Sequence, residues 1–298
     1  MRALLILFFF IQSLFSQTPW YFIYHGDTQN YDHRPISQPN PYGAWLLDMM
    51  VLSPATWIPR PVYVSQAGDF TAHASVEEFT TQKARFDLMG LPWGCCPGNH
   101  DYVDGRKANG LTVWTPIMGE PRKVHVISTP DGDIAFMHLG WCTDDTDIAF
   151  AYDWITANPH TPVIMNTHAW LSRTEGYLIG TRLPPNTAIL PGGSNACYGL
   201  EGDNSALTTW QKLVDMCPSI FMITCGHGCN VGRTTLNSRL GTEVQQHIVN
   251  WQCEPYGGNG FQRAFAFFGR TLLAYDHSLT YSGYGQNWTY LDVIQMRE

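Results

Sequence analysis

The stretch Gly98-Asn99-His100-Asp101 decides the fold, because four other short polar motifs flank it near the ends of apolar runs. In chain order these are Gly26-Asp27-Thr28-Gln29, Gly68-Asp69, Asn166-Thr167-His168 and Gly226-His227-Gly228-Cys229. An apolar run such as Trp20–His25 predicts a buried strand. A strand that ends in a carboxylate, amide or imidazole delivers that group to one edge of a sheet. The five motifs therefore predict one common site, and their donor groups suit a metal.

The order of the motifs resembles the calcineurin-like metallophosphoesterases, whose signature runs D-x-H, G-D, G-N-H-D/E, H and G-H-x-H. The three middle motifs match, whereas Gln29 and Cys229 stand where the signature has His. The segment from Asn250 to Arg263 contains Gln252 and Gly257-Gly258-Asn259-Gly260-Phe261. It is similar to the Gln…Gly-Gly-x-Gly-aromatic…Arg stretch of a secreted bacterial-type branch, in which D-T-Q is also common.

Strand and helix patterns alternate in the first two thirds of the chain, and strands dominate after Thr234. The predicted strands are Trp20–His25, Val62–Ala67, Lys123–Ser128, Asp133–Leu139, Pro162–Asn166, Ser219–Thr224, Val244–Trp251, Phe261–Phe268, Thr271–Tyr275 and Thr289–Ile294. The predicted helices are Gly43–Val51, Val76–Leu88, Ile148–Ala157 and Asn204–Met216. This order predicts an α/β protein with two packed sheets and outer helices. The resemblance implies the same, a metallophosphatase-type α/β/β/α sandwich of two mixed sheets in a single domain over residues 17–298.

Hydrolysis of a phosphate ester needs neutralised phosphoryl oxygens and a nucleophile at neutral pH, which two divalent ions about 3.5–4 Å apart supply. The resemblance assigns four residues to one ion: Asp69 as the bridge, Asn99, His168 and His227. It assigns four positions to the other: Asp27, Gln29, Asp69 and Cys229. Zn, Mn and Fe(II) all accept amide oxygen and imidazole, so the residue set does not choose the metal.

Cys229 has three interpretations. As a thiolate ligand it would favour zinc, since thiolate is a soft donor. It could instead be a buried thiol or half of a disulfide. The chain has eight cysteines, and in an exported protein an even count predicts disulfides without giving their pairing.

His100 and Asp101 are predicted to be catalytic. By the resemblance, His100 protonates the leaving oxygen or holds the phosphoryl group, and an imidazole suits this task because it exchanges a proton near neutral pH. Asp101 either orients His100 or caps the following turn. Gly68–Ala72 lacks the final Tyr that purple acid phosphatases use, so a Tyr-bound ferric ion is not supported.

The N-terminus predicts a secretory signal over residues 1–16. Met1-Arg2 gives the basic start, an apolar run follows, and the small residue Ser16 precedes Gln17. The run is short for a membrane span, although a retained anchor is the alternative. No later segment is apolar for long enough to cross a bilayer. The mature protein is therefore expected to be secreted, in a periplasmic or extracellular location.

Charge and composition limit the partners. The chain has 298 residues, 44% of them hydrophobic, with 17 Lys and Arg against 25 Asp and Glu, for a formal net charge of −8. A nucleic-acid-binding surface is not expected of such a chain, because binding to nucleic acid needs positive charge. The expected partner is a small phosphorylated substrate, attracted by the bound metals. The oligomeric state is not indicated.

Three hypotheses of function remain from the sequence. The first is an exported binuclear phosphoesterase that acts on a monoester or diester. The second is a degenerate relative that binds one metal or a phosphorylated ligand without efficient turnover, as Gln29 and Cys229 suggest. A redox protein is a weak third hypothesis, because the chain has no C-x-x-C motif.

Overall fold

Two six-stranded sheets form the centre of the protein. The computed structural model describes residues 18–32, 41–56, 59–105, 109–171, 204–229, 231–253, 255–269, 271–278 and 291–295. The predicted signal, residues 1–16, lies outside these ranges. Within them, no helix has both the length and the apolar character that a membrane crossing requires.

The first sheet has the order β12-β11-β10-β1-β2-β3. Its strands are β1 (Trp20–His25), β2 (Tyr63–Gln66), β3 (Trp93–Cys95), β10 (Phe261–Phe268), β11 (Thr271–Ser278) and β12 (Leu291–Gln295). Strands β1, β2 and β3 run parallel, and β10, β11 and β12 add antiparallel strands on the other side of β1. The carboxyl ends of β1, β2 and β3 therefore lie at one edge of the sheet.

The second sheet has the order β4-β5-β6-β7-β9-β8. Its strands are β4 (Lys123–Thr129), β5 (Gly132–His138), β6 (Val163–Asn166), β7 (Ile220–Cys225), β8 (Val231–Asn237) and β9 (Glu243–Val249). The four central strands are parallel, and β4 and β8 close the sheet as antiparallel edge strands. The carboxyl ends of β6 and β7 thus share an edge in this sheet too.

Helices and short helical turns connect the strands. The α-helices are α1 (Gln29–Asp32), α2 (Pro41–Leu52), α3 (Val76–Leu88), α4 (Trp114–Met118), α5 (Asp145–Ala157), α6 (Ala206–Lys212) and the distorted turn α7 (Pro255–Gly258). The 3₁₀ turns are Ser53–Thr56, Asn99–Asp101, Val103–Gly105 and Val214–Met216. Helix α3 starts at a capping box, in which Ser75 accepts from the Glu78 amide and the Glu78 carboxylate accepts from the Ser75 amide.

Three apolar clusters fill the spaces between the layers. The middle cluster joins both sheets and includes Phe22, Phe136 and Phe265. One outer cluster packs helices α2 and α3 on the first sheet, and the other packs helices α5 and α6 on the second sheet. The layers are therefore α/β/β/α, and the predicted sandwich of two mixed sheets flanked by helices is confirmed.

A buried ion pair ties β10 to β11. Arg263 donates from Nε and Nη2 to the two carboxylate oxygens of Asp276, at 2.7 and 2.9 Å, and both residues are almost fully buried. Removing one partner leaves a buried charge uncompensated. We expect Arg263→Met to lower the free energy of unfolding by about 3–5 kcal/mol in urea titrations.

The matched control for that change is Lys83→Met, which breaks the half-exposed pair between Lys83 and Asp87. It should cost about 0.5 kcal/mol or less, because exposed pairs contribute little. Equal losses for the two variants would contradict the expectation.

Candidate metal centre

The five motifs meet where the strand ends of the two sheets face each other. Asp27 follows β1, Asp69 follows β2 and Asn99 follows β3, whereas His168 follows β6 and His227 follows β7. The Nδ1 atom of His168 lies 3.9 Å from Oδ1 of Asp27, so the site spans both sheets. The structure therefore brings these five predicted residues together, whereas Cys229 of the last motif is not among them.

Three predicted ligands converge on Nε2 of a fourth, His168. Asn99 Oδ1 lies 3.1 Å from this nitrogen, His227 Nδ1 lies 3.2 Å away and Asp69 Oδ1 lies 3.3 Å away. Donor atoms of Asp69, His168 and His227 all lie within 4.8 Å of one another. One carboxylate, one amide oxygen and two imidazole nitrogens therefore face a single small space, which suits a divalent ion.

The tautomer of His168 is set by the chain. Its Nδ1 lies 2.9 Å from the carbonyl oxygen of Ala67, which accepts only, so Nδ1 carries the proton. Nε2 is then the nitrogen that would bind a metal, and it faces Asp69, Asn99 and His227. A backbone acceptor behind the ring is the usual support of a metal-binding imidazole.

Asp27 lies on the other side of the same space. Its Oδ1 accepts from the backbone amide of His227 at 3.1 Å. Its Oδ2 accepts from the Asn250 amide at 2.7 Å and from the Gln252 amide at 3.0 Å. Gln29 donates from Nε2 to Gln252 Oε1 at 2.8 Å. The other end of that amide, Gln29 Oε1, is buried and has no hydrogen-bond partner among the described residues.

Gln29 Oε1, the buried oxygen without a described partner, indicates whether the residues fit a second ion. A buried polar atom without a partner is costly, and a cation is one way to satisfy it. Gln29 Oε1 and the Asp27 carboxylate are oxygen donors of the kind that divalent metals accept. The donor atoms of Asp27 and Gln29 therefore fit a second metal in their chemistry, and Asp69 is the residue predicted to be shared with it.

The charges in the pocket also favour a cation. Burial raises the pKa of Asp27, and the neighbouring Asp69 adds to this effect although His168 opposes it. Burial lowers the pKa of His227 to about 4, with His168 contributing, so this imidazole is neutral and free to act as a ligand. Burial also lowers the pKa of His168, but Asp69 and Asp27 outweigh it and raise the value overall. Without a metal, the charged form of His168 balances part of the charge on the two buried carboxylates, and a bound metal would supply positive charge in its place.

Strained backbone shapes the loops of the site. Asp69 and His227 have φ values of 50° and 66°, in the left-handed region that residues with a Cβ rarely adopt. Gly68 has a φ of 96°, and a Cβ there would lie 2.8 Å from Nδ1 of His168. Such strain persists where the surrounding structure holds it, and functional sites are where it collects.

Gly226 allows close approach of the His227 loop to Asp27. A Cβ added at Gly226 would collide with Oδ1 of Asp27 and lie 2.7 Å from Cβ of Ala67. We expect Gly226→Ala to displace the carboxylate and weaken metal binding by about 10- to 100-fold, the range seen when groups that support ligands are disturbed. Calorimetric titration with Zn²⁺ measures the change.

Gly228→Ala is the control for this prediction. It lies two residues away, and among the described residues its added Cβ would meet only Ile248 Cδ1, at an ordinary 3.4 Å. Metal binding should stay at the level of the unsubstituted protein. Identical losses in the two variants would point to a general disturbance of the loop instead.

His100 and Asp101 differ in their surroundings. The His100 amide donates to Asp69 Oδ1 at 2.8 Å, and Nδ1 of its partly exposed ring lies 2.9 Å from the carbonyl of Ala72. Asp101 is buried, and its carboxylate accepts from the amides of Gly98, Phe70 and Thr71 at 2.8–3.1 Å. It also accepts from the Thr71 hydroxyl at 3.0 Å. Asp101 therefore holds the Asp69 loop against the Asn99 turn. Its predicted catalytic role was to orient His100, and no hydrogen bond among the described residues joins its carboxylate to the His100 ring.

The prediction that Cys229 is a metal ligand is wrong. Cys229 forms a disulfide with Cys253, with the two Cα atoms 5.5 Å apart, and both residues are exposed. A disulfide sulfur has no thiolate charge with which to bind the metal. Cys142 is disulfide-bonded as well. The free cysteines among the described residues are Cys95, Cys96, Cys217 and Cys225, all buried.

The sequence reasoning assigned no role to Asn250 and Gln252, which hold Asp27. The sequence did contain a sign of them, because the Asn250-Trp251-Gln252 segment lies in the stretch that is similar to the secreted bacterial-type branch. A metal-binding pattern does not reveal them, however, since their amides act on the ligand and not as the ligand.

Comparison with known proteins adds a distant relative. No protein-family model matches the chain. The chain is similar to the uncharacterized protein YvnB of Bacillus subtilis (strain 168), with 24% identity over 228 residues. That match covers 69% of this chain and 15% of YvnB, so the chain spans a small part of the length of this relative.

The fold is similar to that of a solved phosphatase structure. Purple acid phosphatase PPD1 from seeds of yellow lupin (Lupinus luteus) matches with a TM-score of 0.57 and 13% identity, over 94% of this chain and 54% of that chain. The NAD nucleotidase NadN of Haemophilus influenzae matches with a TM-score of 0.44 and 12% identity, over 92% and 49% of the two chains. The likeness to PPD1 shows that this chain has the metallophosphatase-type α/β/β/α fold.

Proposed function

We propose that the protein is a binuclear metal-dependent phosphoric ester hydrolase that acts on a small phosphorylated substrate, either a monoester or a diester. The observation that carries the proposal is the convergence of Asn99, His227 and Asp69 on Nε2 of His168. The first ion would be held by Asp69, Asn99, His168 and His227. The second would be held by Asp27, Gln29 and Asp69.

Bound there, two divalent ions would neutralise the phosphoryl oxygens and activate a water nucleophile. The rest of the chemistry belongs to the chain. His100 lies beside the centre through the bond from its amide to Asp69. Because Ala72 accepts from Nδ1, the second ring nitrogen of His100 would give a proton to the leaving oxygen when the ring is in its doubly protonated form. Asp101 keeps this loop in place.

The metal pair is proposed to be divalent, from among Zn, Mn and Fe. Ala72 stands where purple acid phosphatases have the Tyr that binds a ferric ion, and its carbonyl accepts from the His100 ring instead. With Cys229 in a disulfide, the second ion has oxygen ligands only from the described residues. This set no longer favours zinc over Mn at that position.

The experiment is an activity screen of the metal-free protein reloaded with Zn²⁺, Mn²⁺ or Fe²⁺. An aryl phosphate and a bis-aryl phosphate should distinguish monoesterase from diesterase activity. We expect turnover that depends on added metal with at least one substrate. A protein that binds two metals and turns over neither ester class under any loading would contradict the proposal.

A second candidate is a degenerate member that binds one metal without efficient turnover. The Asp27 side of the site favours this candidate, because Asp27 and Gln29 offer oxygen donors only. The ligand imidazoles described at the site, His168 and His227, are assigned to the first ion. Metal analysis separates the two candidates, since the hydrolase should hold two ions per chain and the degenerate protein one.

Export belongs to the proposal. The apolar N-terminus suggests a cleaved signal over residues 1–16, which would leave the single domain that starts at Gln17. The Cys229–Cys253 disulfide is of the kind found in oxidising compartments. Mass spectrometry of the secreted protein should find a start near Gln17, and an intact Met1 in a membrane fraction would support an anchor instead.

A further inference from the structure

Gln252 connects several parts of the site on the Asp27 side. Its Nε2 donates to Asp27 Oδ2 at 3.0 Å and to the carbonyl of His227 at 3.2 Å. Its Oε1 accepts from Gln29 Nε2 at 2.8 Å and from Asn30 Nδ2 at 3.3 Å. One uncharged side chain therefore contacts two predicted ligands and the backbone of a third.

The disulfide fixes the two segments that Gln252 bridges. Cys253 is the next residue along the chain, and its partner Cys229 lies two residues after His227. The backbone amide of Gln252 also donates to Asn250 Oδ1 at 3.0 Å, and Asn250 in turn donates to Asp27. The covalent bond thus closes a ring that carries Gln252 against the His227 loop.

The hydrogen bonds in this ring have a direction. The Asp27 carboxylate and the His227 carbonyl accept only, so Gln252 must turn its NH₂ group toward them and its oxygen toward Gln29. Gln29 must then donate with its own NH₂ group, which leaves Gln29 Oε1 as the buried oxygen with no described partner. The orientation passes from Asp27 through Gln252 to Gln29.

We propose that Gln252, held by the Cys229–Cys253 disulfide, is a positioning residue that aims the Gln29 oxygen and the Asp27 carboxylate at the second metal. Amide oxygen is a good ligand whereas an amide NH₂ is not, so a flipped Gln29 would remove a ligand from the site. The disulfide therefore supports the second metal site through Cys229, the residue that was predicted to be a ligand of that site. The proposal deepens the proposed function and rests on it.

The test is calorimetric titration of the full metal-free protein with Zn²⁺ alone and with Mn²⁺ alone, without a phosphoester. Gln252→Met keeps the length of the side chain but loses both sets of hydrogen bonds. Gln252→Glu keeps an acceptor for Gln29 but loses the donor to Asp27 and adds negative charge beside it. We expect both variants to bind the first ion as before and the second about 10- to 100-fold more weakly.

Gln245→Met is the matched control. Gln245 is buried on strand β9 and, like Gln252, has a hydrogen-bonded amide, with Thr235 and Glu243 as its partners. It should bind both ions normally. If Gln252→Met and Gln252→Glu also bind two ions with unchanged affinity, the positioning role is wrong while the proposed hydrolase survives. An unsubstituted protein that binds no second ion would overturn both.

The part played by the disulfide is tested by the double variant Cys229→Ser/Cys253→Ser. A reductant is unsuitable because Cys142 is disulfide-bonded as well. We expect selective weakening of the second ion, with the first ion and the far-ultraviolet circular dichroism unchanged. Retention of both affinities would overturn the role of the disulfide. Loss of both ions together would show that the bond supports the whole loop and would overturn its assignment to the second ion.

Discussion

An Asp69→Asn variant should lose about 10³-fold in kcat and lose its high-affinity metal. Asp69 is the one carboxylate assigned to both ions, and its Oδ1 lies 3.3 Å from His168 Nε2. Charge stabilisation by the metals is worth several kcal/mol in the transition state, and each 1.36 kcal/mol is a factor of ten in rate. Asparagine preserves the size of the side chain and removes the charge.

Stability measurements separate this effect from misfolding. Burial opposes the charged form of Asp69, and His168 and the His100 amide offset that cost. These partners outweigh burial and lower the pKa of Asp69, so its charge contributes stability, and the metal-free variant should melt below the metal-free parent but still unfold in one cooperative transition. The upward shift in melting temperature on adding Zn²⁺ should disappear, since ligand stabilisation follows affinity.

Asp133→Asn is the control, because Asp133 is an exposed carboxylate that accepts from Ser128 on the β4–β5 hairpin. It should keep the metal shift and the turnover. If Asp69→Asn keeps both as well, the bridging assignment is wrong and the centre must rest on other residues.

The two-sheet sandwich was predictable because the order of the motifs and the ends of the apolar runs indicate it. Trp20–His25 and Phe261–Phe268 are apolar runs with clear ends, and both strands begin and end where the sequence predicted. Two strands were missed. Trp93–Cys95 has three residues, one of them Gly94, which is too short for a pattern. Val231–Asn237 is a half-buried edge strand with a polar sequence, so it lacks the apolar run of a central strand.

The ligands near His168 were predictable for the same reason, because each follows its own strand. The support of Asp27 was not. Gln252 is 225 residues from Asp27 in the chain, and the pairing of Cys229 with Cys253 is one of many that eight cysteines allow. Such contacts depend on how the loops pack, which no local pattern encodes. Asp101 illustrates the point, since backbone amides from two separate loops saturate its carboxylate.

A His100→Asn variant should lose about 10²–10⁴-fold in kcat on an alkyl phosphoester while both metals stay bound. Asparagine can keep the bond to the Ala72 carbonyl with its NH₂ group, so the loop that carries the His100 amide to Asp69 should hold its shape. What the variant lacks is a group that can give up a proton. The loss should therefore shrink strongly with a nitrophenyl ester, whose leaving oxygen departs without protonation.

His160→Asn, at an exposed histidine after helix α5, is the control and should behave as the parent. Equal losses on both esters would show that His100 holds the phosphoryl group instead of protonating the leaving oxygen, and loss of metal would place it among the ligands.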